Sequence, residues 1–204
     1  MRALLVQRFI VQRWTILFAI TICFVLYFIR LPYLDSPFIC LFVVIVSASL
    51  VENLYKGDRQ VKWEVYVNSL PLSKKVQLQS DFLFCYAFVA SLYILIAPLY
   101  FSQTEASTNF ISHFAMYVGF ISSSFFLLSS QFYIQQLEET EKMRSLQMLT
   151  ATVLIIALNS VVHFYLSLVA GNLFILLIPT LISIFSSWLV FQKCLHLLMT
   201  REIF

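Results

Sequence analysis

Long apolar runs separated by short polar segments set the pattern of this chain. A helix needs about 20 apolar residues to cross the hydrocarbon core of a bilayer, and each run approaches that length. The runs are too long and too uniformly apolar for the alternating strands of a barrel, and a lipid-exposed backbone must satisfy its own hydrogen bonds. Six transmembrane helices are therefore predicted, over residues 14–31, 36–54, 82–101, 110–134, 148–168 and 173–191.

Composition supports this all-α, polytopic membrane fold. Hydrophobic residues make up 61% of the 204 residues and charged residues 11%, whereas a soluble domain carries about 25% charged residues. Residues 1–204 are thus expected to form a single transmembrane domain. The first apolar run is expected to be kept as a span, since no small-residue cleavage site follows Phe24. The four cysteines form no CxxC pair and are expected to pack as small apolar side chains.

The positive charges predict the orientation. Of the 13 Lys and Arg residues, all but Arg30 fall in the N-terminal segment, the polar segments 55–80 and 135–147, or the C-terminal segment. Cytoplasmic segments of membrane proteins carry the excess of Lys and Arg. Both termini and both charged segments are therefore expected in the cytoplasm of a cell that holds the protein in its plasma or inner membrane.

The sequence carries no motif of a membrane enzyme: neither HExxH nor the phosphate loop GxxxxGK[ST] occurs in it. The middles of the predicted spans hold no ionisable residue, because Glu52 lies near the cytoplasmic end of the second span and Asp81 is expected to open the third. Ion-coupled transporters need such residues inside the membrane, so a secondary transporter is disfavoured. The chain is expected to be non-enzymatic, with no cofactor of its own, and to depend on another subunit for ATP and Mg²⁺.

Two histidines, His113 and His163, are expected near the external ends of the fourth and fifth spans. Two histidines at similar depth could ligate a metal or haem iron. The interpretation favoured here is that each is a polar side chain at the membrane interface.

Small residues recur at helical spacing in the fourth and sixth spans. Such residues let helices approach closely, and their hydroxyls can bond across the contact. Packing within the chain is the favoured interpretation, and a dimer seam or a substrate path is the alternative. The residues concerned are Ser112, Ala115, Gly119 and Ser122 in the fourth span, and Ser183 and Ser187 in the sixth.

The segment between spans two and three has an apolar stripe of its own. Trp63, Tyr66, Val67 and Leu70 lie at positions i, i+3, i+4 and i+7 of a possible helix, although alternation from Val61 to Val67 also fits a strand. Pro71 is expected to end the element, and Ser73 to cap the next helix. From pattern alone the stripe could face lipid headgroups or a protein partner.

The sequence KWEVYVNSLPLSKK in this segment resembles type-2 ABC transporter permeases, most closely the small bacterial six-span exporters of peptides or antimicrobials. In that family the corresponding segment, here 59–70, contains a coupling helix that docks into an ATPase subunit. The family commonly has a lysine ten residues after the proline, where this chain has Asp81. The resemblance implies a coupling role for Glu52, Arg59, Trp63, Glu64, Tyr66, Val67, Leu70 and Pro71.

The resemblance implies an exporter in which two permease chains, identical or different, form the path and separate ATPase subunits drive it. A span interior poor in charge suits an apolar or amphipathic cargo, such as a peptide, an antimicrobial or a lipid-like molecule. The haem-exporter permease B of cytochrome c maturation is similar over the same stretch and is one alternative. A non-transporting membrane anchor or assembly factor, recruiting a partner through the same segment, is another.

The charge pattern predicts that Ser107 is external and that Lys62 and Lys142 are cytoplasmic. Single cysteines at these positions, in a cysteine-free chain, should therefore react with an impermeant thiol reagent in intact cells only at position 107. Labelling at position 62 in intact cells would contradict the predicted orientation.

Overall fold

The computed structural model describes residues 2–29, 36–60, 73–102, 110–137, 140–169 and 173–200. Every element within these ranges is a helix, so the predicted all-α class is confirmed. The helices are α1 Arg2–Val11, α2 Arg13–Ile29, α3 Ser36–Gln60, α4 Lys74–Ser102, α5 Phe110–Leu137, α6 Glu141–Val169, α7 Leu173–Leu176 and α8 Ile178–Thr200.

Five helical stretches in the described ranges are long and apolar enough to cross a membrane: α3, α4, α5, α6, and α7 with α8. A sixth crossing would come from α1 and α2, which pass the same test only as a pair and are bent by 63°. The short break between α7 and α8 precedes Pro179, whose missing N–H interrupts helical bonding. A polytopic membrane fold is thus confirmed. It has five crossings, or six if α1 and α2 together form one.

The polar loop predicted over 55–80 is shorter than the sequence suggested. Helix α3 continues to Gln60, and α4 begins at Lys74, before the predicted start of the third span. An i,i+4 ion pair between Lys56 and Glu52, at 2.8 Å, supports the polar extension of α3. Ser73 caps α4 as predicted, since its Oγ accepts a hydrogen bond from the Val76 N–H at 3.4 Å.

The core is built around α3, α4 and α5. Helix α5 packs against α3, α6 and α8, while α3 also packs against α4, and α1 and α2 lie along α4. Buried side chains of α2, α3 and α4 form one apolar cluster with parts of α5 and α8. Its members include all four cysteines, which are unpaired, and this confirms their predicted packing role.

Three tyrosines one heptad apart, Tyr86, Tyr93 and Tyr100, join α4 to α5. Each hydroxyl reaches across the helix contact to a backbone carbonyl or a serine of α5, so polar groups inside the bundle satisfy one another. The contacts are Tyr86 to Ser129 Oγ at 2.7 Å, Tyr93 to Ser124 Oγ at 2.8 Å and to the Phe120 carbonyl at 2.9 Å, and Tyr100 to the His113 carbonyl at 2.9 Å.

The outer helices expose most of their apolar surface. In the apolar 18-residue stretch of each helix, half of the residues are buried in α3, α4 and α5, against 11% in α6 and 17% in the α7–α8 stretch. Side chains such as Leu158, Phe164 and Phe185 are more than half exposed. An apolar surface of this extent is suited to lipid rather than to water.

Removing one hydroxyl from this tyrosine series should weaken the bundle. Tyr93→Phe deletes the bonds to α5 while keeping the ring, so we expect a loss of about 1 kcal/mol in the free energy of unfolding. Unfolding in detergent with increasing denaturant measures it. The matched control is Tyr165→Phe on α6, whose side chain is 64% exposed. Equal stability of the two variants would contradict a stabilising role for the α4–α5 hydroxyl bonds.

Candidate functional site

The candidate docking segment lies between α3 and α4, and most of it falls in residues 61–72, outside the described residues. Glu52 and Arg59 are the predicted coupling residues that the structure describes, and both belong to α3. The others lie outside the described residues: Trp63, Glu64, Tyr66, Val67, Leu70 and Pro71.

Arg59, the first residue of the coupling helix implied over 59–70, belongs to α3. It lies in the last turn of α3 with its side chain exposed, and its Nε is 3.4 Å from the carbonyl of Tyr55. Glu52, about two turns before it, forms the ion pair with Lys56 while staying partly accessible. Exposed pairs of this kind contribute little to stability. Both predicted coupling residues therefore present charge at the surface of the α3 end.

A buried ionic cluster, the Arg8 cluster of Arg8, Asp58 and Asp81, joins three helices at the same end of the fold. Arg8 Nε and Nη2 of α1 donate to the two carboxylate oxygens of Asp81 on α4, at 2.6 and 3.0 Å. Arg8 Nη1 donates to Asp58 on α3 at 2.5 Å. The three residues are only 1%, 3% and 2% exposed. One guanidinium thus holds a residue near the end of α3 and a residue near the start of α4.

Burial makes this cluster hard to separate. Charged hydrogen bonds are short and strong, and a planar guanidinium can bond a carboxylate through two donors at once. Removing one member would leave the others charged in a medium that solvates them poorly, which is far more costly than losing a surface pair. Relative movement of α1, α3 and α4 at this point is therefore strongly resisted.

The Arg8 cluster was not predicted from the sequence. In the sequence, Arg8 contributes to the charge pattern that indicates orientation, and Asp81 is expected to open the third span, whereas Asp81 lies about two turns inside α4 and is buried. Two signals were present in the sequence. Asp81 stands where the resemblance leads one to expect a lysine, and Arg8 shares a four-residue spacing with Leu4 and Gln12, which are also buried.

The small residues of α5 and α8 pack the two helices together within the chain. Ser122 Oγ lies 2.9 Å from Thr180 Oγ1, and Ser187 Oγ lies 2.9 Å from Ser129 Oγ. Ser183 is fully buried, but its hydroxyl donates to the Thr180 carbonyl of its own helix. Ser112, also predicted, is only half-buried. Thr180 and Ser129, the partners across the contact, were not predicted.

Gly119 provides the close approach between α5 and α6. A Cβ at this position would lie 2.9 Å from Cγ of His163, which is too close for two carbons. The His163 ring is 2% exposed, and its Nδ1 lies 2.9 Å from the Asn159 carbonyl. His113 lies beside Tyr100 instead, with ring centroids 6.4 Å apart. No group of three or more His, Cys, Asp or Glu that could hold a metal occurs in the described ranges.

A methyl group at Gly119 should force α5 and α6 apart. We expect Gly119→Ala to lower the free energy of unfolding by about 1–3 kcal/mol, because overpacking at a tight contact displaces its neighbours. Gly57→Ala is the matched control, since a Cβ there meets only the Val11 side chain at 3.6 Å. Thermal unfolding of the two variants in detergent measures the difference. Recovery in Gly119→Ala/His163→Ala would assign the loss to this contact, and equal stability of the two single variants would contradict it.

Comparison with known proteins assigns the family. The family model described as ABC-2 family transporter protein matches residues 3–195. Neither a search of curated proteins nor a search of solved structures finds a match to the chain. The family match runs from α1 into α8 and includes every residue of the Arg8 cluster. Nearly the whole chain is thus matched, its helices are apolar enough to span a membrane, and the protein belongs to the ABC-2 transporter family as a multi-pass membrane permease.

Proposed function

We propose that this permease is the membrane subunit of an ABC exporter, held in the plasma or inner membrane with both termini in the cytoplasm. Membership of the ABC-2 family implies a partnership with an ABC ATPase. We further propose that two permease chains form the path and that the ATPase docks on residues 59–70, the segment with the KWEVYVNSLPLSKK sequence.

The observation that carries the docking proposal is the Arg8 cluster. Since Asp58 and Asp81 contact the same guanidinium, α3 and α4 meet near the ends of the connecting segment. A segment whose two ends are fixed at one place can receive force from a partner and pass it to two helices together. The partly exposed charge of Glu52 and the exposed charge of Arg59 lie on the same end of α3 and are suited to contact with a soluble partner.

The proposed cargo is apolar or amphipathic: a peptide, an antimicrobial or a lipid-like molecule. The charges of the Arg8 cluster are paired with one another, and the hydroxyls between α4, α5 and α8 bond to one another or to backbone carbonyls. These charges and hydroxyls are therefore already engaged and are not available to recognise a strongly hydrophilic cargo. Export of an amphipathic molecule needs less recognition of this kind.

Truncating the apolar stripe of the segment should release the ATPase. In Trp63→Ala/Tyr66→Ala we expect at least about a 30-fold loss of ATPase affinity, since truncating a central interface aromatic often costs about 2 kcal/mol or more. Quantitative co-purification from membranes and ATP hydrolysis by the complex in lipid vesicles measure it. The permease purified alone gives the baseline and is expected to hydrolyse no ATP.

The matched control is Trp188→Ala/Tyr165→Ala, which removes the same two ring types from exposed positions on α8 and α6. This variant is expected to keep the ATPase. If Trp63→Ala/Tyr66→Ala keeps both the bound ATPase and its hydrolysis rate, residues 59–70 are not the docking element. If an ATPase binds but no cargo crosses the membrane in either direction, the chain acts as an anchor rather than as an exporter.

A further inference from the structure

Helix α1 buries a charged side chain and exposes apolar ones. Arg8 is 1% exposed, beside buried Leu4 on the same face, whereas Val6, Phe9 and Ile10 on the other face are 53–59% exposed. A helix in contact with acyl chains turns its charged residues inward, where they are paired, and its apolar residues outward. The exposed face of α1 is therefore a lipid-facing surface.

The junction with α2 fits a position at the membrane boundary. The chain bends by 63° there, and the Arg13 guanidinium lies 5.5 Å from the ring centroid of Trp14, which is 70% exposed. Trp is enriched where hydrocarbon meets headgroups, and Arg near a helix end reaches toward the headgroups. Helix α1 thus meets the bundle at the membrane boundary, at an angle to α2.

Contacts on either side of the Arg8 cluster hold α1 against α3 and α4. Phe9 packs edge-on against Phe84 of α4, with centroids 5.2 Å apart. On the other side, Val11 lies beside Gly57 of α3. Between them all three donor nitrogens of Arg8 are used, two on Asp81 and one on Asp58. A change in the spacing of α3 and α4 cannot leave α1 in place without breaking a buried charged bond.

We propose that Arg8, Asp58 and Asp81 are positioning residues that transmit movement of the docking segment to α1, so that the lipid-facing helix moves with the ATPase cycle. The inference rests on the proposed function, since it takes the ATPase to act on the segment between α3 and α4. Asp58 lies two residues before the end of α3, and Asp81 lies in the first turns of α4. Force on the segment reaches these two carboxylates before it reaches the rest of the bundle. Because Arg8 bonds both carboxylates, it moves with them.

The test reports on the surroundings of α1 during the ATPase cycle. An environment-sensitive fluorophore is attached through Ile10→Cys, in a chain whose buried cysteines are replaced by alanine at positions 23, 40, 85 and 194. The permease and its ATPase are reconstituted together in lipid vesicles. Emission is compared without nucleotide and after trapping with ATP and vanadate. With the native cluster we expect an emission shift on trapping.

The decisive variant neutralises the cluster without burying an unpaired charge. Arg8→Gln alone would leave two carboxylates uncompensated and could prevent folding. The triple variant Arg8→Gln/Asp58→Asn/Asp81→Asn replaces all three charges with amides that can still hydrogen-bond one another. We expect it to lose the emission shift at position 10, with the bound ATPase checked by co-purification. Loss of ATPase binding in the triple variant would show that the cluster only holds the docking segment in place, and would overturn the inference. A merely structural cluster would leave that nucleotide-dependent shift intact.

A second probe position controls for the rest of the cycle. Leu158 on α6 is 66% exposed and far along the chain from the cluster, so a fluorophore attached through Leu158→Cys should respond equally in the native and triple-neutral chains. A shift at position 10 that survives in the triple variant would overturn the inference. So would the absence of any shift at position 10 in the native chain under trapping. Failure of the native chain to bind an ATPase would instead refute the proposed function, and this inference with it.

Discussion

A polar group inside hydrocarbon has no water to bond, and this constraint organises the whole bundle. Tyr86, Tyr93 and Tyr100 solve it between α4 and α5 by bonding serines and carbonyls of the facing helix. Ser129 extends one of these contacts to Ser187, so a short chain of hydroxyls crosses three helices. In the Arg8 cluster, charged groups are likewise satisfied by one another, since the guanidinium bonds both carboxylates. The contacts that satisfy polar groups are also those that fix which helices are neighbours.

The sequence predicted well what depends on local composition. Long apolar runs must be helices in lipid, and the four cysteines, three of which lie inside such runs, were correctly expected to pack. Helix ends were predicted less well. Residues 55–60 and 74–81 are polar enough to end a hydropathy window, yet they continue α3 and α4, because an ion pair at Glu52, a cap at Ser73 and the buried Asp81 satisfy them. Hydropathy measures the free-energy cost of placing a polar residue in the membrane, but it does not register a hydrogen-bonding or ionic partner that offsets this cost.

Prediction of the candidate site was limited in the same way, because a pattern along the chain does not identify partners on other helices. Spacing along one helix identified Ser122 and Ser187, but not Thr180 or Ser129, which lie 58 residues from them along the chain. Arg8 and Asp81 are 73 residues apart, and no local pattern pairs them. The resemblance directed attention to residues 59–70, and its one departure, Asp81, turned out to belong to the buried cluster. The residue that departs from the family pattern is thus part of a long-range contact that the pattern itself does not indicate.

The two hydroxyl contacts between α5 and α8 have the same separation of 58 residues, and they are spaced one heptad apart on each helix. Equal separation means that the helices run parallel and in register, while the tyrosines of α4 hold α5 in register with α4. One residue added within α5, between Ser122 and Ser129, would rotate everything beyond it by about 100° and break the contacts with α4 and α8 at once. One residue added in the short connection after Leu137 would disturb neither. Length differences among related chains should therefore accumulate in the connections, with α5 held at a constant length.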